Sequence, residues 1–262
     1  MLATRRFDQQ LVHGMAVRRL PGDGPPLVWI HGLGESSRCF DAIVAHPVLA
    51  ARDHTLLDLP GYGRSPWSAP ASIDATVDAL IAYLGVPPIL IGHSLGGVVA
   101  TLVAERAPAA VRAVIDVEGN SSLGDCTFSG QVAAYSEDDF VDHGHDALWA
   151  ALARDHADPA LRGYAASIAF CDPRQMWRHA VDLVALSRAE TLAARRAALA
   201  VPFTFLAGFP RGICPHSRAL LTAAAIPIVD VAPAAHWPFL DQPDAFAAAV
   251  ARAVQIGDAR HR

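Results

Sequence analysis

Apolar and polar positions alternate along the chain in blocks that predict a parallel β/α arrangement. Short apolar runs typical of strands buried on both faces of a sheet occur at 27–30, 55–59, 89–91, 111–117, 203–206 and 226–231. The segment from Ser72 to Leu84 carries apolar residues at helical spacing, and Ser72 is a suitable N-cap. Two β-like segments between Arg6 and Leu20 predict a hairpin at the sheet edge. Together these patterns predict an α/β fold with a mostly parallel central sheet flanked by helices.

One long block interrupts the alternation. Residues 121–200 contain no convincing buried strand and instead show five stretches with helical periodicity. The strand and helix order resumes after this block. We therefore expect a core formed by residues 1–120 and 201–262, with residues 121–200 as a helical cap over the sheet edge.

The segment from Pro88 to Ala100 is the strongest candidate for chemistry. Its apolar run leads into Gly92-His93-Ser94-Leu95-Gly96, a G-x-S-x-G pattern, and a helix is predicted over 98–107. Such a pattern arises often by chance, but its position between a strand and a helix is the context that a nucleophilic serine requires. The turn would project the Ser94 hydroxyl above the sheet, at a helix N-terminus that favours negative charge.

A second glycine-rich loop follows the strand at 27–30. Glycines on both sides of Leu33, at positions 32 and 34, would let the backbone turn tightly and expose an N–H. Ligands bind at the carboxyl ends of parallel strands in open sheets, so the N–H groups of Leu33 and Leu95 are candidate oxyanion donors. The alternative is that this loop is merely a turn that ends the strand.

A serine nucleophile needs a base, and His236 is the best placed of the twelve histidines. It lies in a loop after the last predicted strand, at the same sheet edge as Ser94. The histidines of the helical block are expected at the surface or in the pocket. We expect the turn to direct the side chain of His93 away from the site. Asp58 follows another strand, and we assign it a structural role in the turn after it.

These motifs, in this order, resemble the α/β-hydrolase fold family: His31-Gly32-Leu33-Gly34, Asp58-Leu59-Pro60-Gly61-Tyr62-Gly63-Arg64-Ser65, Gly92-His93-Ser94-Leu95-Gly96-Gly97 and the late His236. The resemblance runs over nearly the whole chain outside the helical block, which falls where that family carries its helical cap. It implies an order of Ser, acid and His along the chain. It does not identify a substrate, because the fold hosts many chemistries.

The sequence departs from the family at the acid. Most members carry the carboxylate in the turn after the strand at 203–206, but here residues 208–215 contain no Asp or Glu and Arg211 stands at the expected place. A minority of the family takes the acid from the strand after the nucleophile, which here ends at Glu118. We expect Glu118 to orient His236. Asp116, Asp230 and the absence of an acid are the alternatives, and Glu118 could instead cap the first turn of the helical block.

Composition narrows the function further. The net charge is −5 without a basic cluster, which argues against nucleic acid as a partner. No apolar stretch reaches the length of about 18 residues that a membrane span requires. The chain contains no lysine, so lysine Schiff-base chemistry is excluded. The four cysteines are far apart, no metal-ligand spacing is present, and no apolar segment near the N-terminus resembles a signal peptide. We expect a cytoplasmic protein without cofactor or metal, acting on a small molecule.

The sequence therefore predicts a serine hydrolase that cleaves a carboxylic ester, thioester or lactone of a small, apolar substrate through an acyl-enzyme. Activities that use an Asp nucleophile, such as dehalogenation and epoxide hydrolysis, are disfavoured by Ser94. The alternatives are hydrolysis of a carbon–carbon bond, a lyase or cyclase step on a small metabolite, and a non-hydrolytic binding protein with the same pocket.

Overall fold

The computed structural model describes residues 6–68, 71–154 and 158–259. Its centre is an eight-stranded sheet with the order β1-β2-β4-β3-β5-β6-β7-β8. The strands are β1 Asp8–Val12, β2 Met15–Leu20, β3 Asp23–Ile30, β4 Arg52–Asp58, β5 Ile89–His93, β6 Ala113–Val117, β7 Phe203–Pro210 and β8 Ile228–Ala234. The hairpin strands β1 and β2 are antiparallel to their neighbours, and the others pair in parallel. The predicted fold class is confirmed.

Helices cover the sheet and fill the long connection between β6 and β7. They are α1 Asp41–Val44, α2 Ile73–Tyr83, α3 Leu95–Arg106, α4 Thr127–Ala133, α5 Glu137–Asp139, α6 His145–Arg154, α7 Pro159–Ile168, α8 Pro173–Arg188, α9 Leu192–Ala197, α10 Pro215–Ala223, α11 Pro238–Asp241 and α12 Pro243–Ala259. A π-helical turn, Phe140–Gly144, joins α5 to α6. Helices α4–α9 lie within the block predicted as a cap.

The central strands are apolar because both faces are covered. Every residue of β5 and β6 is buried, and helix α3 packs against both strands. Ser72 caps α2 as predicted, accepting a hydrogen bond from the Ala75 N–H. Asp58 stabilises its turn: its Oδ1 accepts the Ser37 N–H at 2.6 Å and its Oδ2 the Arg64 N–H at 2.9 Å. The structural role predicted for Asp58 is confirmed.

Two predicted boundaries are wrong for local reasons. Strand β3 begins at Asp23 and not at residue 27, because Asp23 pairs with Arg52 before the register shifts. Helix α3 begins at Leu95 and not at residue 98, because Ser94 is itself the N-cap. The helix N-terminus therefore lies directly beside the candidate nucleophile.

Buried polar contacts tie helices α8 and α9 to the sheet domain. The guanidinium of Arg196 on α9 lies 2.7 Å from Asp116 Oδ2 on β6, with neither side chain exposed. His179 on α8 contacts the hydroxyls of Tyr62 and Thr76, each at 3.0 Å. These contacts fix the far end of the inserted helices to the sheet. In the part of the chain that the structure describes, no helix is both long and apolar enough to cross a membrane.

Candidate active site

Ser94 occupies a strained turn between β5 and α3. Its backbone has φ 53° and ψ −117°, outside the regions that non-glycine residues ordinarily adopt. The turn is tight, because a Cβ on Gly92 would lie 2.1 Å from the Gly96 carbonyl oxygen and one on Gly96 2.1 Å from the Ile30 carbonyl oxygen. The Ser94 N–H donates to the Val117 carbonyl at 2.8 Å, which holds the turn against β6. This geometry presents the Ser94 side chain to the cavity above the sheet.

The structure brings Glu118 and His236 together beside this turn. Glu118 follows β6 and is also held at a positive φ of 57°, while His236 lies in the loop after β8. His236 Nδ1 lies 3.4 Å from Glu118 Oε2. The carboxylate is completely buried, whereas about a third of the His236 side chain is exposed. His236 therefore has one nitrogen toward a buried carboxylate and its exposed part toward the cavity.

The turn after β7 supports Glu118 with backbone groups instead of supplying an acid. The Gly208 N–H donates to Glu118 Oε1 at 2.7 Å. A Cβ on Gly212 would lie 2.2 Å from the same oxygen, so only glycine leaves room for the carboxylate. Arg211 lies between these two glycines and lines the cavity. The space that a carboxylate from this turn would need is thus filled by Glu118.

The alternative acids have other partners. Asp116 forms the buried ion pair with Arg196 and accepts the Gly119 N–H at 2.8 Å. Asp230 forms a surface ion pair with Arg218 at 2.6 Å. The first turn of the helical block is capped by Ser122 and Asp125, not by Glu118. Among the described residues, Glu118 is the carboxylate that contacts His236.

The two residues predicted to supply oxyanion donors are Leu33, in the glycine-rich loop after β3, and Leu95, which directly follows Ser94. Leu33 lines the cavity, and Leu95 is the first residue of α3, where a helix N–H has no intrahelical acceptor. Within the described segments, neither N–H has a protein acceptor, and the Ser94 hydroxyl has no protein partner. These groups are therefore available to a substrate.

The cavity at Ser94 is small and partly aromatic. It encloses about 210 Å³. Phe128, Tyr164 and Trp237 form a contiguous ring cluster on one wall, with centroids 5.0 to 6.3 Å apart. Polar residues line the opposite side, including Asn120, Asp125 and Arg211. The shape suits a small substrate with an apolar part.

A buried cluster beneath the site was not predicted from the sequence. Glu35 Oε2 accepts the Gly32 N–H at 2.6 Å and lies 2.9 Å from His93 Nδ1, while Glu35 Oε1 accepts the Trp237 indole N–H at 2.6 Å. His93 Nε2 lies 2.8 Å from the His236 carbonyl oxygen. His93 also lines the cavity at Ser94, so the prediction that the turn directs its side chain away from the site is wrong. The only sequence signal was a carboxylate three residues after Gly32 in the glycine-rich loop.

The charges in this cluster support one another. Burial alone would raise the pKa of Glu35, but the attraction and hydrogen bond of His93, with the donors Trp237 and Gly32, lower it to about 2. Burial opposes a charge on His93, but the attraction and hydrogen bond of Glu35, with the His236 carbonyl, raise its pKa. In contrast, burial lowers the pKa of His31, which accepts the Leu59 N–H at 3.0 Å and is neutral. No group of three or more His, Cys, Asp or Glu side chains in the described ranges is arranged to hold a metal.

The comparisons with known proteins agree on one family. The sequence profile of the alpha/beta hydrolase family matches residues 27–249. The chain is 38% identical over 114 residues to the lipase LipV of Mycobacterium tuberculosis, a match to 40% of this chain and 41% of that lipase. The first relatives are thus matched over less than half of their length.

A longer match joins the chain to the pimeloyl-[acyl-carrier protein] methyl ester esterase of Edwardsiella ictaluri. The two are 30% identical over 240 residues, which cover 86% of this chain and 91% of the esterase. Among solved structures, the enol-lactonase of Burkholderia xenovorans superposes with a TM-score of 0.76 over 95% of this chain and all of the enol-lactonase. At 18% identity that similarity shows a shared fold.

Proposed function

Because the chain belongs to the alpha/beta hydrolase family, we propose that it is an ester hydrolase that cleaves small carboxylic esters through Ser94, His236 and Glu118. One observation carries the proposal. The buried carboxylate of Glu118 faces His236 Nδ1 in the cavity that also contains the strained Ser94. A base held in this way keeps its other nitrogen, Nε2, free to take the serine proton.

In the first half of the reaction, His236 Nε2 takes the Ser94 proton while Ser94 Oγ attacks the ester carbonyl carbon. The carbonyl π electrons move to oxygen, and the N–H groups of Leu33 and Leu95 stabilise that oxyanion. Each such donor is typically worth about 3–4 kcal/mol in the transition state. Glu118 stabilises the imidazolium. When the oxyanion collapses, the ester C–O bond breaks and His236 gives its proton to the departing alkoxide.

In the second half, water attacks the acyl-enzyme. His236 Nε2 takes a proton from this water as its oxygen bonds to the acyl carbon, and the same two N–H groups stabilise the second oxyanion. Collapse breaks the bond to Ser94 Oγ, which recovers the proton from His236. The carboxylic acid leaves and the enzyme returns to its starting state. Ester and water are the only reactants.

The cavity supports a small acyl or alcohol group. About 210 Å³ holds only a short chain or one ring, and Phe128, Tyr164 and Trp237 offer it an apolar wall. We propose that the helical block at 121–200 acts as a cap that sets this size, because Phe128 and Tyr164 belong to α4 and α7. The relatives named above include a methyl ester esterase, so short methyl esters belong in the first substrate panel.

The test combines a covalent probe with product analysis. A fluorophosphonate should label the wild-type enzyme at Ser94, and p-nitrophenyl acetate and butyrate should be hydrolysed. Ser94→Ala should abolish both, with an unchanged melting temperature. Reaction in H₂¹⁸O should place the label in the released carboxylic acid. A wild-type protein that takes no probe would favour a binding role, whereas products of carbon–carbon cleavage or ring closure without ester cleavage would favour a carbon–carbon hydrolase or a cyclase.

A further inference from the structure

The cluster of Glu35 and His93 lies under the candidate triad and takes no part in the steps above. Both side chains are almost completely buried. The cluster joins three loops that are distant in the chain: Glu35 belongs to the glycine-rich loop, His93 precedes Ser94, and the carbonyl of His236 belongs to the loop of the base. Trp237 closes it by donating to the same carboxylate.

The partners of His93 determine its protonation state. Nδ1 faces a carboxylate oxygen at 2.9 Å, and Nε2 faces a backbone carbonyl oxygen at 2.8 Å. Glu35 carries no hydrogen, because the N–H of Gly32 and the indole N–H of Trp237 donate to it and, with His93, hold its pKa low, and a carbonyl oxygen only accepts. A neutral imidazole has one N–H, so it satisfies only one of the two. Both contacts therefore require an imidazolium.

We propose that Glu35 and His93 form a buried ion pair that positions the catalytic base. His93 is a positioning residue, and the inference rests on the ester hydrolysis proposed above. Its Nε2–H holds the His236 carbonyl, which fixes the backbone from which the catalytic imidazole extends. Through Glu35 the same pair holds the Gly32 N–H, next to the proposed oxyanion donor Leu33. One charge pair thus sets the distance between the base and the oxyanion hole.

The geometry makes this distance sensitive to the pair. A Cβ on Gly32 would lie 2.9 Å from Glu35 Oε2, 3.1 Å from Ser94 Cβ and 3.2 Å from His93 Nδ1, so the loop, the carboxylate and the turn of Ser94 are in contact. The His93 and His236 rings are 4.8 Å apart. Loss of one N–H of His93 would release either the base loop or the glycine-rich loop. A misplacement of about 1 Å in an active site can cost roughly 100-fold in rate.

The other titratable groups near the pair are known. Glu118 from the end of β6 acts electrostatically on His93, and His93 acts on His31 from the end of β3. The carbonyl of His236, from the loop after β8, accepts from His93. Cys39 lies 3.9 Å from Glu35, and burial raises the pKa of that thiol and of the Tyr164 hydroxyl well above their usual values. We expect the loss of the His93 proton to appear as the alkaline limb of the rate profile.

The first experiment measures kcat against pH for p-nitrophenyl butyrate in the wild-type enzyme, Glu35→Gln, His93→Phe and His93→Gln. Without its counter-ion the imidazolium loses its proton more easily, so Glu35→Gln should move the alkaline limb down by about 1–3 pH units. His93→Phe should lower kcat about 100-fold with little change in KM and should abolish that limb. His93→Gln, whose amide can still donate to the His236 carbonyl, should recover part of the loss.

The control is His179→Gln, which replaces an equally buried histidine outside the cavity. It should leave the alkaline limb unchanged. An unshifted limb in Glu35→Gln, or wild-type kcat in His93→Phe, would overturn the proposal. If the wild-type enzyme binds fluorophosphonate at Ser94 while the Glu35 and His93 variants behave normally, the positioning role alone is wrong. If Ser94 takes no probe at all, the proposed function is wrong.

The second experiment needs no folded variant at the pair. A ¹H–¹⁵N spectrum of the histidine rings in wild-type protein at about pH 8 should contain one imidazolium with two protected N–H signals. The same signals should be present in Ser94→Ala, where catalysis is absent. A spectrum at that pH in which every histidine ring is neutral would refute the ion pair. This outcome does not depend on whether the protein hydrolyses esters.

Discussion

The replacement Glu118→Gln tests the choice of acid most directly, because the structure fixes how the amide must sit. The Gly208 N–H donates to Oε1 at 2.7 Å, so the amide oxygen of glutamine has to take that position. The amide NH₂ then faces His236 Nδ1, which becomes the acceptor, and the ring proton moves to Nε2. With Nε2 protonated, the imidazole cannot take the proton of Ser94. The reversed amide would place two donors 2.7 Å apart in a buried site, at a cost of about 1–3 kcal/mol.

The expected loss is therefore large and confined to the chemical step. The analogous change of the orienting acid in another serine hydrolase lowers kcat about 10⁴-fold, which corresponds to roughly 5 kcal/mol of activation free energy. Glutamine keeps the size of glutamate and one of its hydrogen bonds. We expect KM to change little and the melting temperature to stay within a few degrees.

Asp116→Asn is the matched control on the same strand. Asparagine can still accept the Gly119 N–H, but it leaves the guanidinium of Arg196 buried without a counter-charge. Breaking a buried ion pair from one side costs about 3–5 kcal/mol, or roughly 10 °C in melting temperature for a chain of this size. The folded fraction should retain a kcat close to wild type.

The assay follows p-nitrophenyl butyrate hydrolysis at about pH 8, with thermal unfolding measured on the same samples. The two variants should differ in both measurements. Glu118→Gln should have a low kcat and a melting temperature near that of the wild type, whereas Asp116→Asn should have a kcat near that of the wild type and a lowered melting temperature. A near-normal rate in Glu118→Gln together with an inactive, stable Asp116→Asn would refute the assignment of the acid. Equal losses of kcat in both variants would show that the loss comes from a disturbed backbone at the end of β6 and not from the carboxylate of Glu118.

Two further predictions concern stability against pH and substrate size. Burial lowers the pKa of His179 from 6.5 to about 3. Below neutrality the unfolded chain therefore binds a proton at this residue that the folded chain does not. The contribution of His179 to the free energy of unfolding, measured with urea, should fall by about 3 kcal/mol between pH 7 and pH 4. His179→Gln should reduce the slope of that part of the curve, leaving the losses due to the lowered pKa values of His31 and His145 and, below about pH 4.5, the loss due to Glu35. An unchanged slope would contradict the buried neutral state. Phe128→Ala removes one ring of the aromatic wall and should shift the kcat/KM ratio of hexanoate to acetate p-nitrophenyl esters about tenfold toward hexanoate. An unchanged ratio, with Phe170→Ala as the exposed control, would mean that the acyl chain binds elsewhere.

Much of the fold could be predicted because its signals are local. Buried parallel strands are short apolar runs, and the turn at Ser94 is specified by glycines two residues before and after it. The fold and family predicted in this way are confirmed. The choice of Glu118 also used local information, namely a carboxylate at a strand end and its absence from the turn after β7. The catalytic roles and the division into core and cap stay predictions.

The pairings across the chain could not be predicted. Glu35 and His93 are 58 residues apart, and nothing near either one indicates its partner. The same holds for Arg196 in the helical block, whose buried partner Asp116 lies on β6. After β6 the positive φ falls on Glu118 and not on a glycine, and Gly119 is required because a Cβ there would lie 2.2 Å from Asp116 Oδ1. These features depend on packing between elements, which a single sequence does not specify.

The position of Glu118 has a consequence for how this enzyme can diverge. With Glu118, directly after β6, as the proposed acid, the turn after β7 carries no side chain that the proposed chemistry needs. Only Gly208 and Gly212 in this turn are constrained by the carboxylate that they contact. Substitutions at residues 209–211 and 213, at the edge of the cavity, would then remove no residue of the proposed triad. Arg211, one of these residues, lines the cavity. We therefore expect new substrate preferences to arise there by single substitutions.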